Sequence, residues 1–321
     1  MPKNVNLTTP AETPAQRPSI KQLVERAEWI RLETIRQIAG AGLGHYSSTF
    51  SAAEILAVLY YRTLRLDPKN PDWSDRDRFL LGKGHIAVGL WPILADPGYF
   101  PRTWLDEFGK IDQPLTDHPN MRDVPGIDFS AGSLGHNLSV GAGICLASRF
   151  RGGHDRTFVL LGDGELHEGQ LWEAVMLASH YKLGNLIAIV DANGSSANGP
   201  TSDVMNIEPI TTRFEAFGWR AIEIDGHDVA RIVEVLDGLP QSSSNVPTAI
   251  VARTLKGKGV SFMETSPREW HLGFLGPADR KRAEEEIRSR MSCIPSPSRW
   301  RIPSPTRVQP RWKAERSSAA R

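Results

Sequence analysis

Cysteine is almost absent from this chain. Its 321 residues include two, Cys145 and Cys293, far apart in sequence. Two isolated thiols make neither a disulfide framework nor a zinc ligand set, and the expected setting is reducing and cytoplasmic. Long apolar runs are missing too. No stretch approaches the roughly 20 residues that a bilayer-crossing helix needs. The opening residues, MPKNVNLTTPAETPAQRPS, lack the apolar core of a signal peptide. There are no internal repeats. Three patterns fall short of a known site. GAGLGH (Gly40–His45) follows a helix pattern rather than a strand, so the context of a dinucleotide fingerprint is missing. HEGQLW (His167–Trp172) lacks the second histidine of a zinc protease, and KGKG (Lys256–Gly259) lacks the Walker A pattern and reads as a loop.

An excess of one charge is also lacking overall, since the formal net charge is +1. That value hides an asymmetry. From Ser292 to Arg321, six arginines and one lysine stand against one glutamate, a local +6 that leaves −5 on the remainder. The same segment carries five prolines. Such a composition cannot bury a core. Residues 292–321 are expected to be a solvated, disordered tail rather than a nucleic-acid or membrane-binding element. Residues 1–18 are expected to be a flexible arm. That leaves 19–291 as one domain, in a chain whose 40% hydrophobic and 23% charged content suits a soluble enzyme.

Apolar residues recur at helical spacing over Ile20–Ile38 and again over Ser51–Leu64. RFLLGKGH reads as a short strand ending at glycine, and a proline- and aspartate-rich connection runs on to about Asp128. GSLGHNLSVGAGICLASRF is a glycine-led helix. TFVLLGDG, NLIAIVDANG, FGWRAIEID and PTAIVART read as strands, with GQLWEAVMLASHYK and DVARIVEVLDGL as helices between them. ADRKRAEEEIRSRM reads as a last surface helix. Alternating strands and helices predict an α/β fold, a parallel sheet with helices on both faces. Ligands of such sheets bind beyond the carboxyl ends of the strands.

GDGELHEG (Gly162–Gly169) lies at one such end. Asp163 and Asn193 are thirty residues apart, the length of one strand–helix–strand unit, so both should end neighbouring strands at the same edge. One carboxylate and one amide oxygen suit magnesium, which completes its shell with water and phosphate oxygens. Gly162 and Gly164 permit a tight turn and close approach of a phosphate. The helix from about Gly169 would offer its N-terminus to the anion. The bland reading of a lone GDG is a strand-to-helix turn with Asp163 as cap.

GDG followed by the later asparagine resembles the thiamine diphosphate motif. LLGDGELHEGQLWEAVMLASHYKLGNLIAIVDANG is similar to the transketolase version of it, and more narrowly to the N-terminal subunit of a split transketolase. GHYSSTFSAAEILAVLYY, RDRFLLGKGH, AGSLGHNLSVGAGICLA, IEIDGHD, and ARTLKGKGVSFME followed by EWH agree, in the family's order, over about Ile20 to Ile287. The resemblance implies the diphosphate-binding domain of the thiamine diphosphate-binding fold, with Mg2+ held by the side chains of Asp163 and Asn193 and the carbonyl of Ser195. It implies that Gly164, His85 and His271 lie at the diphosphate and that Leu134 packs on the aminopyrimidine. His45 and His118 would face the sugar and exchange protons with donor hydroxyls, and Glu168 would be a buried glutamate linking cofactor sites across a dimer. His136, which follows Leu134-Gly135, is open to two readings, a further polar side chain near the cofactor or a structural one, whereas His154, His180 and His227 read as structural.

In two respects the sequence departs from the family. Ser195 and Ser196 stand where an apolar residue usually meets the cofactor. The family also needs a glutamate on a pyrimidine-binding domain, for which this chain has no room. The implied protein is therefore half of an active site. It would act with a C-terminal subunit, two of each chain, transferring a two-carbon ketol unit between sugars that are expected to be phosphorylated. The rival expectations are the α subunit of a 2-oxoacid dehydrogenase and a degenerate interaction subunit without cofactor.

Overall fold

The computed structural model describes residues 17–240 and 242–292; residues 1–16 of the expected arm and 293–321 of the expected tail lie outside the described residues. Helix α1 (Ile20–Ala41) begins at a capping box, in which Ser19 Oγ accepts from the Gln22 amide and Gln22 Oε1 accepts from the Ser19 amide. Gly42 ends it in the left-handed conformation, φ 71°. Two short helices follow, α2 (Tyr46–Ser51) and α3 (Ala53–Val58), continued by a π turn over Leu59–Thr63. The helix expected over Ser51–Leu64 is present as α3 and its π turn, with α2 as a separate helix just before it. The hydroxyl-rich YSSTFS segment explains the break, because its side chains bond elsewhere than the helix ladder. Ser51 Oγ, for instance, donates to Asp191 Oδ2 at 2.6 Å.

Next come β1 (Arg78–Leu81), α4 (Ala87–Ala95), α5 (His136–Phe150), β2 (Thr157–Gly162), α6 (Gly169–His180) and β3 (Leu186–Ala192). The chain continues through α7 (Thr201–Val204), α8 (Ile210–Ala216), β4 (Arg220–Asp225), α9 (Val229–Asp237), β5 (Thr248–Arg253), α10 (Ser261–Thr265) and α11 (Pro277–Ser292). Helix α4 lies inside the expected connection to Asp128. All nine of its residues are buried, so it has no polar face to reveal a period, and Pro92 sits within it. Pro92 has no N–H for the Val88 carbonyl one turn back. Gln37 of α1 fills that gap, donating from Nε2 to Val88 O at 3.1 Å.

The five strands form one parallel sheet in the order β1-β2-β3-β5-β4. Every residue of β2 and β3 is buried, as befits central parallel strands covered on both faces. Alternate residues serve opposite faces. Phe158, Leu160, Ile187 and Ile189 join α1, α3, α4 and α9 in one core. Val159, Leu161, Ala188 and Val190 join α5, α6 and α8 in the other. Each Val, Leu, Ile or Phe side chain among them contributes roughly 1.5–3 kcal/mol by leaving water. The edge strand β4 exposes Arg220, Glu223 and Asp225, which discourages further pairing. Among the described residues no helix is long and apolar enough to cross a membrane.

Candidate active site

Parallel pairing brings the carboxyl ends of β1, β2, β3 and β5 to one edge. A buried ion pair lies at the centre. Lys83, just after β1, pairs through Nζ with Asp191 of β3 and also donates to Ser48 O at 3.2 Å. Asp191 accepts further bonds from Ser51 and Thr254. Burial alone would raise its carboxyl, but the Lys83 charge and the bonds from Lys83, Ser51 and Thr254 hold it below the ordinary range. A buried pair this well partnered keeps its charges at tolerable cost.

Asp163 directly follows β2 and is 4% exposed. Its Oδ1 accepts from the Gly164 amide at 2.8 Å, and its Oδ2 accepts from the Gly194 amide at 2.5 Å. The bond to Gly194 clasps the turn after β3 to the turn after β2. Burial, and then the Asp191 charge, push the Asp163 carboxyl up to about 6. Asn193 Oδ1 accepts from the Ser195 amide at 3.1 Å. The Ser195 carbonyl accepts from Lys256 Nζ at 3.1 Å, and the Ser196 carbonyl does so at 3.4 Å. Lys256 is 2% exposed, and burial followed by the Lys83 charge pushes it down to about 8. The Ser195 and Ser196 hydroxyls are spent inside the loop, on the Ser196 and Gly199 carbonyls.

This donor set fits the expected magnesium ion. All three groups offer oxygen, the preference of a hard cation. Among the described residues no ion pair neutralises Asp163, and its raised carboxyl marks a charge that a cation would relieve. The Ser195 carbonyl already faces one cation, the Lys256 ammonium. Among the described residues no group of three or more His, Cys, Asp or Glu side chains is gathered to hold a metal, so the set rests on a single carboxylate.

Glu165, a residue the sequence did not single out, is 2% exposed. It accepts from the Gly135 amide at 2.9 Å and the Gly162 amide at 3.1 Å, fastening the loop before α5 to the GDG turn. Burial pushes its carboxyl up to about 7. A Cβ at Gly82 would stand 2.6 Å from Glu165 Oε1 and 2.8 Å from the Leu160 carbonyl, so only glycine fits there. Asn137 Nδ2 donates to Leu81 O at 2.8 Å and anchors α5 to the end of β1. Leu134 lies half-exposed in the loop between these clamps. Glu168 occupies the N-cap position of α6 without a capping bond and is exposed.

Three expected histidines converge. His45 precedes α2, His85 follows β1 and His271 lies between α10 and α11. Their ring centroids are 4.9 Å (His45–His85), 5.2 Å (His45–His271) and 5.6 Å (His85–His271) apart. His271 Nδ1 is 3.1 Å from Ser48 Oγ. Burial, then Lys83 and His45, hold His85 well below the usual imidazole range. Burial, then Lys256 and His45, bring His271 down to about 4. Both rings are therefore neutral at pH 7. His118 reaches the cluster through Asp117, whose Oδ1 is 3.4 Å from His45 Nδ1 and whose Oδ2 is 3.6 Å from His118 Nδ1. His136 is exposed at the start of α5. His227 bridges Glu54 Oε2, at 3.1 Å from Nδ1, and the Leu255 amide, which donates to Nε2 at 2.8 Å.

Lys83, Asp191, Lys256 and Asp117 had one sequence signal each: a charge directly after an apolar strand, inside one, or beside a singled-out residue. Their convergence is a property of the fold.

Fold and site together define an α/β domain that works at the carboxyl edge of a parallel sheet. Residues 22–295 match the thiamine diphosphate binding domain of transketolase, and the chain belongs to that family. It is 39% identical over 242 residues to a subunit of the 6-deoxy-6-sulfo-D-fructose transketolase of Clostridium sp. (strain MSTE9), covering 75% of this chain and 88% of that protein. It is 38% identical over 254 residues to a subunit of the apulose-4-phosphate transketolase of Actinobacillus succinogenes, covering 79% of this chain and 91% of that protein. The crystal structure of transketolase from Campylobacter jejuni superposes with a TM-score of 0.78 at 30% identity over 84% of this chain, which spans 43% of that longer one.

Proposed function

We propose that this chain is the diphosphate- and metal-binding subunit of a two-chain transketolase. The observation that carries the reading is the clasp in which Asp163, after β2, accepts from the Gly194 amide in the turn after β3, the turn that also carries Asn193 and Ser195. Thiamine diphosphate, when bound, supplies the carbanion chemistry that breaks and remakes a carbon–carbon bond beside a ketone. The protein's part is to hold, orient and exchange protons. Asp163, Asn193 and the Ser195 carbonyl would hold Mg2+. The Gly164 amide and the neutral rings of His85 and His271 would donate to diphosphate oxygens, and Leu134 would lie against the aminopyrimidine. His45 and His118 would take protons from donor hydroxyls and return them as a two-carbon ketol unit passes from a ketose to an aldose.

The catalytic glutamate would come from a C-terminal subunit with a pyrimidine-binding domain, in a heterotetramer of two chains each. Two relatives are subunits by name, one acting on a sulfo-sugar and one on a sugar phosphate, which favours a partner here and sugar, or sugar phosphate, substrates. Exposed apolar surface supports the same reading: Phe150 on α5 is 87% exposed and Met176 on α6 is 55% exposed, on helices that flank Glu168. We assign residues 19–291 to one domain and the reaction to the cytoplasm. The family match counts against a 2-oxoacid dehydrogenase subunit, and the retained oxygen donors count against a degenerate module. The purified chain alone should be inert toward ketoses and should gain ketol transfer with its partner, as followed by aldose consumption. Ketose cleavage by the single chain would refute the half-site.

A further inference from the structure

We propose that Asp117 is a positioning residue that fixes the proton arrangement of His45 and His118 together. The inference rests on the substrate-facing reading of those two histidines. The loop that carries Asp117 is held firmly. Trp91 Nε1 donates to Thr116 O at 3.1 Å, Thr116 Oγ1 donates to His118 O at 2.6 Å, and the Ala131 amide donates to Pro119 O at 3.1 Å. The carboxylate between these anchors lies 3.4 Å from His45 Nδ1 with one oxygen and 3.6 Å from His118 Nδ1 with the other.

His45 Nδ1 and Asp117 Oδ1 are both buried, and neither has a hydrogen-bond partner. A buried acceptor without a donor is costly. The two needs cancel if His45 carries its proton on Nδ1 and a small ring rotation closes the gap. The other oxygen, Oδ2, offers the same acceptor to Nδ1 of the more exposed His118, 3.6 Å away. A ring protonated on Nδ1 presents an unprotonated Nε2, the form in which imidazole acts as a base. One carboxylate thus prepares two bases for one substrate. The remaining neighbours do not compete for the role. His85 and His271 are themselves held neutral, and Lys83 is committed to Asp191.

The full-length chain labelled with 15N-histidine decides the matter by long-range 1H–15N correlation, which separates the two tautomers. Signals of His45 and His118 are assigned through His45→Gln and His118→Gln. Both rings should be Nδ1-protonated in the wild type. Asp117→Ala should release both toward the Nε2-protonated form, and Asp117→Asn, which keeps an acceptor oxygen, should restore the Nδ1 form in at least one. Wild-type rings already protonated on Nε2, or an unchanged Asp117→Ala spectrum, would overturn the proposal. In the assembled enzyme Asp117→Ala should lower kcat about tenfold or more with little change in KM for the ketose, and Asp117→Asn should recover part of it. A wild-type complex without ketol transfer would sink the function proposed above while leaving the tautomer spectra to judge this inference.

Discussion

Charged side chains beneath the surface give this site its character, and each is legible to a different degree. Asp163 and Asn193 stand out in the sequence because their spacing matches one strand–helix–strand unit. Glu165 lies two residues from Asp163, yet its two amide partners come from distant glycines that no linear pattern connects to it. Lys256 reads as a loop residue, and it is one, but its ammonium reaches the Ser195 carbonyl. His271 makes a prediction at this scale. The fold keeps it neutral down to about pH 4, whereas an unfolded imidazole takes its proton near 6.5. A depressed histidine contributes stability that is present above pH 6.5 and is lost as pH falls through 4. The stability difference between wild type and His271→Gln, taken from urea midpoints, should therefore shift against the wild type across that window. A difference that stays flat would contradict the assignment.

At the level of elements, the strands are the most legible part. All five expected strands are present, because central parallel strands are short unbroken apolar runs bounded by glycine or charge. The amphipathic helices α1 and α9 show their period. Helix α4 does not, since burial on all sides removes the polar face and Pro92 argues against a helix interior. Its cost is met from outside by Gln37, so Gln37→Met should leave the Val88 carbonyl buried without a donor. The expected loss is roughly 1–3 kcal/mol of stability, measured as a lower urea midpoint; an unchanged midpoint would mean that water or another donor replaces Gln37. Glu165→Gln tests the clamp between the loop before α5 and the GDG turn. An amide has one acceptor oxygen where two backbone donors wait, so amide exchange at Gly135 or Gly162 should quicken, and protection equal to wild type at both would refute the clamp.

As a whole, the molecule is a parallel sheet with both faces covered and the candidate site at one edge. Leu134, Glu168, Phe150 and Met176 are exposed in the single chain, surface that the proposed partner subunit would cover. The proposed function requires that the clasp at that edge hold a diphosphate through magnesium. The direct measurement is calorimetric titration of thiamine diphosphate into the complex purified with its partner, with Mg2+ and with the metal chelated, for wild type and Asp163→Ala. Saturable binding that needs Mg2+ and is lost in Asp163→Ala is the predicted result. Equal affinity without the metal, or undiminished affinity in the variant, would contradict the central claim.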